Sequence, residues 1–105
     1  MKPAITVLTL AVADLQRALL FYRDGLGLKT EGIIGQEFEH GAVVFFDLVG
    51  GAKLALWAQA DLAHDAGLPE GPVTSTAVSI GQNVARRDEV DAVLAQAAAA
   101  GARIV

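Results

Sequence analysis

The sequence predicts an α+β fold of paired β-α-β-β-β modules, the second module truncated after its helix. Three observations lead there. Residues 5–27 read as a strand, a turn and a helix. Residues 42–57 read as two strands joined through Gly50-Gly51. Residues 74–101 then repeat the strand, the acidic helix start and the terminating glycine of the first stretch.

The first strand, over residues 5–12, is almost entirely apolar, with Thr6 and Thr9 as its polar members. Asp14 ends the run as a helix N-cap, because its carboxylate can accept from the free N–H groups of the first turn. Leu15, Leu19, Tyr22 and Leu26 recur at helical spacing with Ala18 beside them, which defines a buried stripe. Gly25 and Gly27 stop the helix, since glycine accepts the left-handed conformation of a C-terminal cap.

Residues 28–34 supply a second strand, 35–41 a polar loop and 42–48 a third strand with Phe45 and Phe46 expected in the core. The turn at Val49-Gly50-Gly51 returns the chain into a fourth strand over 52–57. Asp47 opposes Lys53 if the hairpin loop holds an odd number of residues, and Leu48 does if the number is even. Module one therefore spans about 1–58 of a single domain. A linker over 59–73 contains a short helical turn capped by Asp61 and a connector rich in Pro and Gly. A partial second module, 74–105, contains a strand over 74–84 and a helix over 86–100. Asp88 and Glu89 sit in the first turn of that helix, Val90, Val93, Leu94 and Ala97 form its apolar stripe, and Gly101 stops it. By the logic of the repeat, about three further strands are expected, from additional chain or from a partner copy.

Composition narrows the function. At 105 residues the chain has room for one modest core, and 53% hydrophobic residues supply it. A net charge of −4, with Arg86-Arg87 as the one adjacent basic pair, argues against nucleic acid and against anionic membrane surfaces. Without cysteine there is no disulfide, no thiolate nucleophile and no thiolate metal site. No basic segment leads into a long apolar one, so neither a signal peptide nor a membrane span is expected, and the cytoplasm is the default location. The glycines at 25–27 and 50–51 do not open a helix after a strand, which excludes a phosphate loop, and no serine sits in a nucleophile elbow.

The residues Val12, Asp14, Leu15, Ala18, Phe21, Tyr22, Leu26, Gly27 and Leu28 match the pattern V-x-D-L-x-x-(A/S)-x-x-F-Y-x-x-x-L-G-L. That pattern resembles the vicinal oxygen chelate superfamily of glyoxalase I, bleomycin-resistance proteins and extradiol dioxygenases. The hairpin AVVFFDLVGGAKLALW and the linker LAHDAGLPEGP look like a bacterial subgroup of that superfamily of unassigned role. The resemblance implies curled mixed sheets around a cavity, each module completed against the other, often across a homodimer. It also implies a choice between a metal-dependent lyase, isomerase or dioxygenase and a metal-free binding module.

In metal-dependent relatives, His, Glu or Gln side chains on four strands face the cavity. The family spacing places three of those positions on Val7, Ala55 and Ser75, none of which is an ordinary metal ligand, and the fourth beyond Val105. A divalent metal would then need Glu37, Glu39, His40 or His64, which read as loop and linker residues. The expectation is no cofactor, with a divalent metal as the alternative. If Val7 faces the cavity, alternation brings Thr9 and Ala11 to the same face and turns Leu8, Leu10 and Val12 toward the helix. Lys53, Ala55 and Trp57 follow the same rule, with Leu54 and Leu56 on the helix side, and Ser75 and Ser79 would face inward from the second module. The expected ligand site is thus Val7, Thr9, Lys53, Ala55, Trp57, Ser75 and Ser79. It is a mostly apolar surface that suits a small, partly apolar or aromatic ligand, with Trp57 available to stack on a flat ring.

Overall fold

A computed structural model describes residues 1–72 and 78–104. Strand β1 (Val7–Val12) leads through Asp14 into helix α1 (Leu15–Leu20), which continues as a wide π-type turn over Phe21–Gly25. Strands β2 (Thr30–Ile34), β3 (Val43–Asp47) and β4 (Lys53–Ala58) follow. Helix α2 (Gln59–Ala66) and helix α3 (Arg87–Ala99) complete the described elements. The four strands form one curled, unclosed mixed sheet in the order β1-β4-β3-β2, with β1 parallel to β4 and the other pairs antiparallel. The elements from Val7 to Ala58 follow a β-α-β-β-β order.

Local chemistry accounts for the boundaries. The Asp14 carboxylate accepts from the Arg17 backbone N–H at 3.0 Å, so the N-cap forms as the sequence requires. Gly27, at φ +77°, provides the left-handed stop. Between them the helix widens, with the Leu26 N–H bonding back to the Phe21 carbonyl at 2.9 Å. Phe21 and Tyr22 stand edge to face there, their centroids 5.0 Å apart.

The core lies between α1 and one face of the sheet. Val44, Phe46, Leu54, Leu56 and Leu19 are buried together, with Leu10, Val12, Leu15, Ala18, Tyr22, Leu28 and Ile33 packed around them. The helix stripe and the strand alternation meet here as expected. Phe45 departs from its expected core position. It is adjacent to Phe46 on one strand, so it must face the opposite side of the sheet, and it is only half-buried there.

The hairpin loop is 48–52, an odd count, and Asp47 consequently pairs with Lys53. Helix α2 is longer than the single turn expected. It begins at Gln59, with no side-chain cap, so Asp61 lies inside the first turn instead of capping it. Gln59 donates instead to the Gly71 carbonyl across the linker.

The strand expected over 74–84 does not form in its described part, 78–84, where the backbone is irregular and Val78 and Ile80 are exposed. None of the four strands pairs with this segment. Helix α3 forms where expected, but its stripe is not buried: Val90 and Leu94 remain exposed. It touches the rest of the chain at the wide turn, where the Gln96 amide donates to the Gly25 carbonyl at 3.3 Å. A methyl group on Gly25 would collide with the Ala100 side chain, so glycine is required for this approach. No helix among the described residues is long and apolar enough to cross a membrane.

Candidate functional site

The face of the sheet turned away from α1 carries five of the seven residues expected to line a ligand site. In register, Val7 lies beside Lys53, Thr9 beside Ala55 and Ala11 beside Trp57. Across the other edge of β4, Asp47 pairs with Lys53, Phe45 with Ala55 and Val43 with Trp57. Residues paired across strands share a face, so Val7, Thr9, Lys53, Ala55 and Trp57 lie together, as alternation predicts. Ala55 is buried, lying between Phe45 and Thr9, while Val7 is exposed at the β1 edge. Ser79 is on the irregular segment and exposed, and Ser75 lies outside the described residues.

Polar groups on this face are few. The Lys53 ammonium donates to the Asp47 carboxylate at 2.6 Å, on an exposed part of the hairpin. Beside that pair a cleft of about 520 Å³ is lined by Lys29, Gly32, Ile34, Phe45, Asp47 and Lys53. Its volume is ample for a small ligand. Neither Phe45 nor Lys29 was among the expected site residues. Strand alternation places Phe45 on this face directly, whereas the approach of Lys29 depends on the irregular β2–β3 pairing between Thr30 and Ile33. A larger, more open groove of about 650 Å³ lies on the helix side, between Val12, Arg17, Phe21 and Ala100. None of the residues expected to line the ligand site borders it.

At the other end of β4 the structure brings together residues distant in sequence. The Trp57 indole N–H donates to the His40 carbonyl at 3.0 Å. His40 Nδ1 lies 2.7 Å from an Asp61 carboxylate oxygen, and its Nε2 lies 3.5 Å from Glu39. The His64 ring stacks on the His40 ring with centroids 3.9 Å apart and planes 19° apart. His40 holds φ +59°, the one positive value among the described non-glycine residues. Such a backbone costs on the order of 1–2 kcal/mol, and here bonds to the carbonyl and ring hold it in place. Of the residues read as a metal alternative, Glu39, His40 and His64 thus come together with Asp61, but not as a metal centre. Near-parallel imidazole planes do not converge on one point, and among the described residues no three His, Cys, Asp or Glu side chains could hold a metal ion. The mapped positions Val7 and Ala55 carry no donor atom at all, so the described residues do not fit a divalent metal.

Two places on the helix side carry displaced pKa values. Burial raises the Tyr22 phenol in the core. At the surface end of the wide turn, the hydrogen bond between Arg23 and Asp24 raises the guanidinium and lowers the carboxyl.

A family model described as "Glyoxalase/Bleomycin resistance protein/Dioxygenase superfamily" matches residues 4–105. The chain belongs to that superfamily. A crystal structure of a glyoxalase-related enzyme from Fulvimarina pelagi is similar to it at 28% identity and a TM-score of 0.72, over 94% of this chain and 66% of that one. A glyoxalase/bleomycin resistance protein/dioxygenase from Nocardioides gives 23% identity and 0.70, over 96% and 64%. Lactoylglutathione lyase from Agrobacterium tumefaciens gives 24% and 0.56, over 92% and 69%. At those lower identities the likeness is one of fold. The superfamily member described here spans only part of each of these chains. No curated relative matches it.

Proposed function

We propose that this superfamily member is a metal-free module that binds a small, partly apolar or aromatic molecule on the open face of its sheet. The observation that carries this reading is the chemistry of that face. It presents Trp57, Phe45, Ala55, Val7 and Thr9, with the Lys53–Asp47 pair and Lys29 at one end, and its mapped metal positions Val7 and Ala55 have no side-chain donor. An aromatic ring can lie against Trp57 or Phe45, and a polar substituent can meet Lys53 or Thr9. The mechanism is sequestration, with no bond made or broken. From the second module, Ser79 is included in the proposed site. A homodimer in which a second copy closes over the face would shield the ligand from water, and light scattering tests that arrangement.

The test is a thermal-shift screen of small aromatic acids, phenols and neutral heteroaromatics against the wild-type protein and Trp57→Ala. The reading expects at least one chemical class to raise Tm in the wild type, with the rise lost in Trp57→Ala. A wild-type protein that responds to none of them, or a response indifferent to Trp57, contradicts it.

A further inference from the structure

The open face is laid out in cross-strand rows. One row joins Asp47 to Lys53, the next joins Phe45 to Ala55, and a third joins Ile34 and Val43 to Trp57. Successive rows are two residues apart, about 7 Å along a strand. The ionic row lies at one end, and the cleft of about 520 Å³ beside it adds Lys29 and Glu31 to its lining. The cleft therefore holds two ammoniums and two carboxylates, which sum to zero. Asp47 and Lys53 sit on internal strands, so their charges do not serve to keep a sheet edge from pairing. They bond to each other at 2.6 Å. Among the described residues, Lys29 and Glu31 take part in no ion pair.

A bulge shapes the wall of this cleft. Thr30 pairs with Phe46 and Ile33 with Val44, so Glu31 and Gly32 together stand opposite Phe45. Gly32 holds φ +91°, and its N–H donates to the Thr30 hydroxyl at 3.1 Å. A Cβ on Gly32 would meet nothing within 4 Å, so the missing side chain leaves open space at the lining. Phe45, half-buried, is the aromatic member of that lining.

We propose that this cleft is a zwitterion subsite, and that the ligand of the open face is an α-amino acid with a large apolar or aromatic side chain. This rests on the open face being the ligand site. The ligand carboxylate meets Lys29 and Lys53, its ammonium meets Glu31 and Asp47, and its side chain runs along Phe45 toward Ala55. An exposed pair such as Asp47–Lys53 holds weakly, so it opens for a ligand at little cost. A zwitterion then returns a partner to both of its charges. A ligand with a single charge leaves one of them unmatched, and that difference is the source of selectivity.

Three probes that share one ring test the assignment: L-phenylalanine, 3-phenylpropanoate, which lacks the ammonium, and 2-phenylethylamine, which lacks the carboxylate. Each is titrated into ¹⁵N-labelled protein while amide shifts are followed. L-Phenylalanine is expected to bind at least fivefold more tightly than either analogue and to move the amides of Lys29–Ile34, Phe45 and Lys53. Lys29→Met should weaken L-phenylalanine and 3-phenylpropanoate severalfold and leave 2-phenylethylamine unchanged. Glu31→Gln should weaken L-phenylalanine and 2-phenylethylamine and leave 3-phenylpropanoate unchanged. L-Phenylalanine that binds no better than its analogues overturns the subsite, as do variants that weaken all three probes equally. The open-face reading fails separately. If phenols or neutral heteroaromatics raise Tm through Trp57 while the three probes move no amide, the zwitterion subsite alone falls. If the probes move only amides around Arg17 and Ala100, on the helix side, both readings fall.

Discussion

Trp57 and His40 are joined by an indole N–H to carbonyl bond of 3.0 Å that spans 17 positions of sequence. It fixes the aromatic side chain of β4 against the loop between β2 and β3. Trp57→Phe keeps an aromatic ring but leaves a half-buried carbonyl without its donor. We expect a loss of about 1 kcal/mol in unfolding free energy, measured by urea denaturation. Ligand affinity should fall less in Trp57→Phe than in Trp57→Ala, because the phenyl ring still stacks.

Lys53 and Asp47 form an exposed cross-strand pair, with side-chain exposures of 47% and 78%. Pairs of that kind contribute under about 1 kcal/mol. Lys53→Met is expected to leave stability within that margin. The same substitution should weaken an acidic ligand several-fold and leave a neutral one unaffected. Competition titrations with an aromatic acid and its amide separate the two cases.

Leu56 is fully buried between the sheet and α1. Truncation there removes contact area and leaves a cavity. Leu56→Ala should cost about 2–5 kcal/mol, a large part of the total for a domain of this size. Denaturation midpoints measure it. Thr9→Ala, on the other face of the neighbouring strand, should cost much less.

Gly25 lets α3 approach the wide turn. Gly25→Ala drives a methyl group into Ala100 and should release α3, seen as faster amide exchange over Arg87–Ala99. The sheet amides should keep their protection, since the core forms without α3. Adding Ala100→Gly to Gly25→Ala should restore the slow exchange.

Tyr22 is the only tyrosine, and burial raises its phenol above the ordinary 10.0. The native state disfavours phenolate. The associated stability is therefore complete below pH 10 and is lost as pH rises through the raised value. A spectrophotometric titration should show phenolate appearing at higher pH in the native protein than in urea. Coincident curves would contradict the packing of Tyr22 against Phe46.

Most of the first module was legible in the sequence because its determinants are local. Asp14 caps, Gly27 stops, and Gly50-Gly51 turns the hairpin through chemistry that acts within a few residues. Alternation then sorted Leu54 and Leu56 from Lys53, Ala55 and Trp57. It also carried Phe45 to the open face, a consequence that the expected aromatic core pair overlooked. The wide turn at Phe21–Gly25 left no local mark. It depends on how Phe21 and Tyr22 pack and on what Gly25 meets, which are tertiary facts. The contact of His40 with Asp61 and His64 was hidden for the same reason. It joins a loop to a linker helix more than 20 residues away, and no spacing rule connects them. The strand expected over 74–84 was read from composition, but a strand also needs a neighbour to bond with, and its described part, 78–84, pairs with none.

The central claim is that the open face binds its ligand without a metal. Elemental analysis of tag-free protein for Mn, Fe, Co, Ni, Cu and Zn, followed by titration with each ion, tests it most directly. The account predicts metal far below one equivalent and no saturable uptake. Near-stoichiometric metal, retained through dialysis, would contradict it and would place a donor set where Val7 and Ala55 provide none.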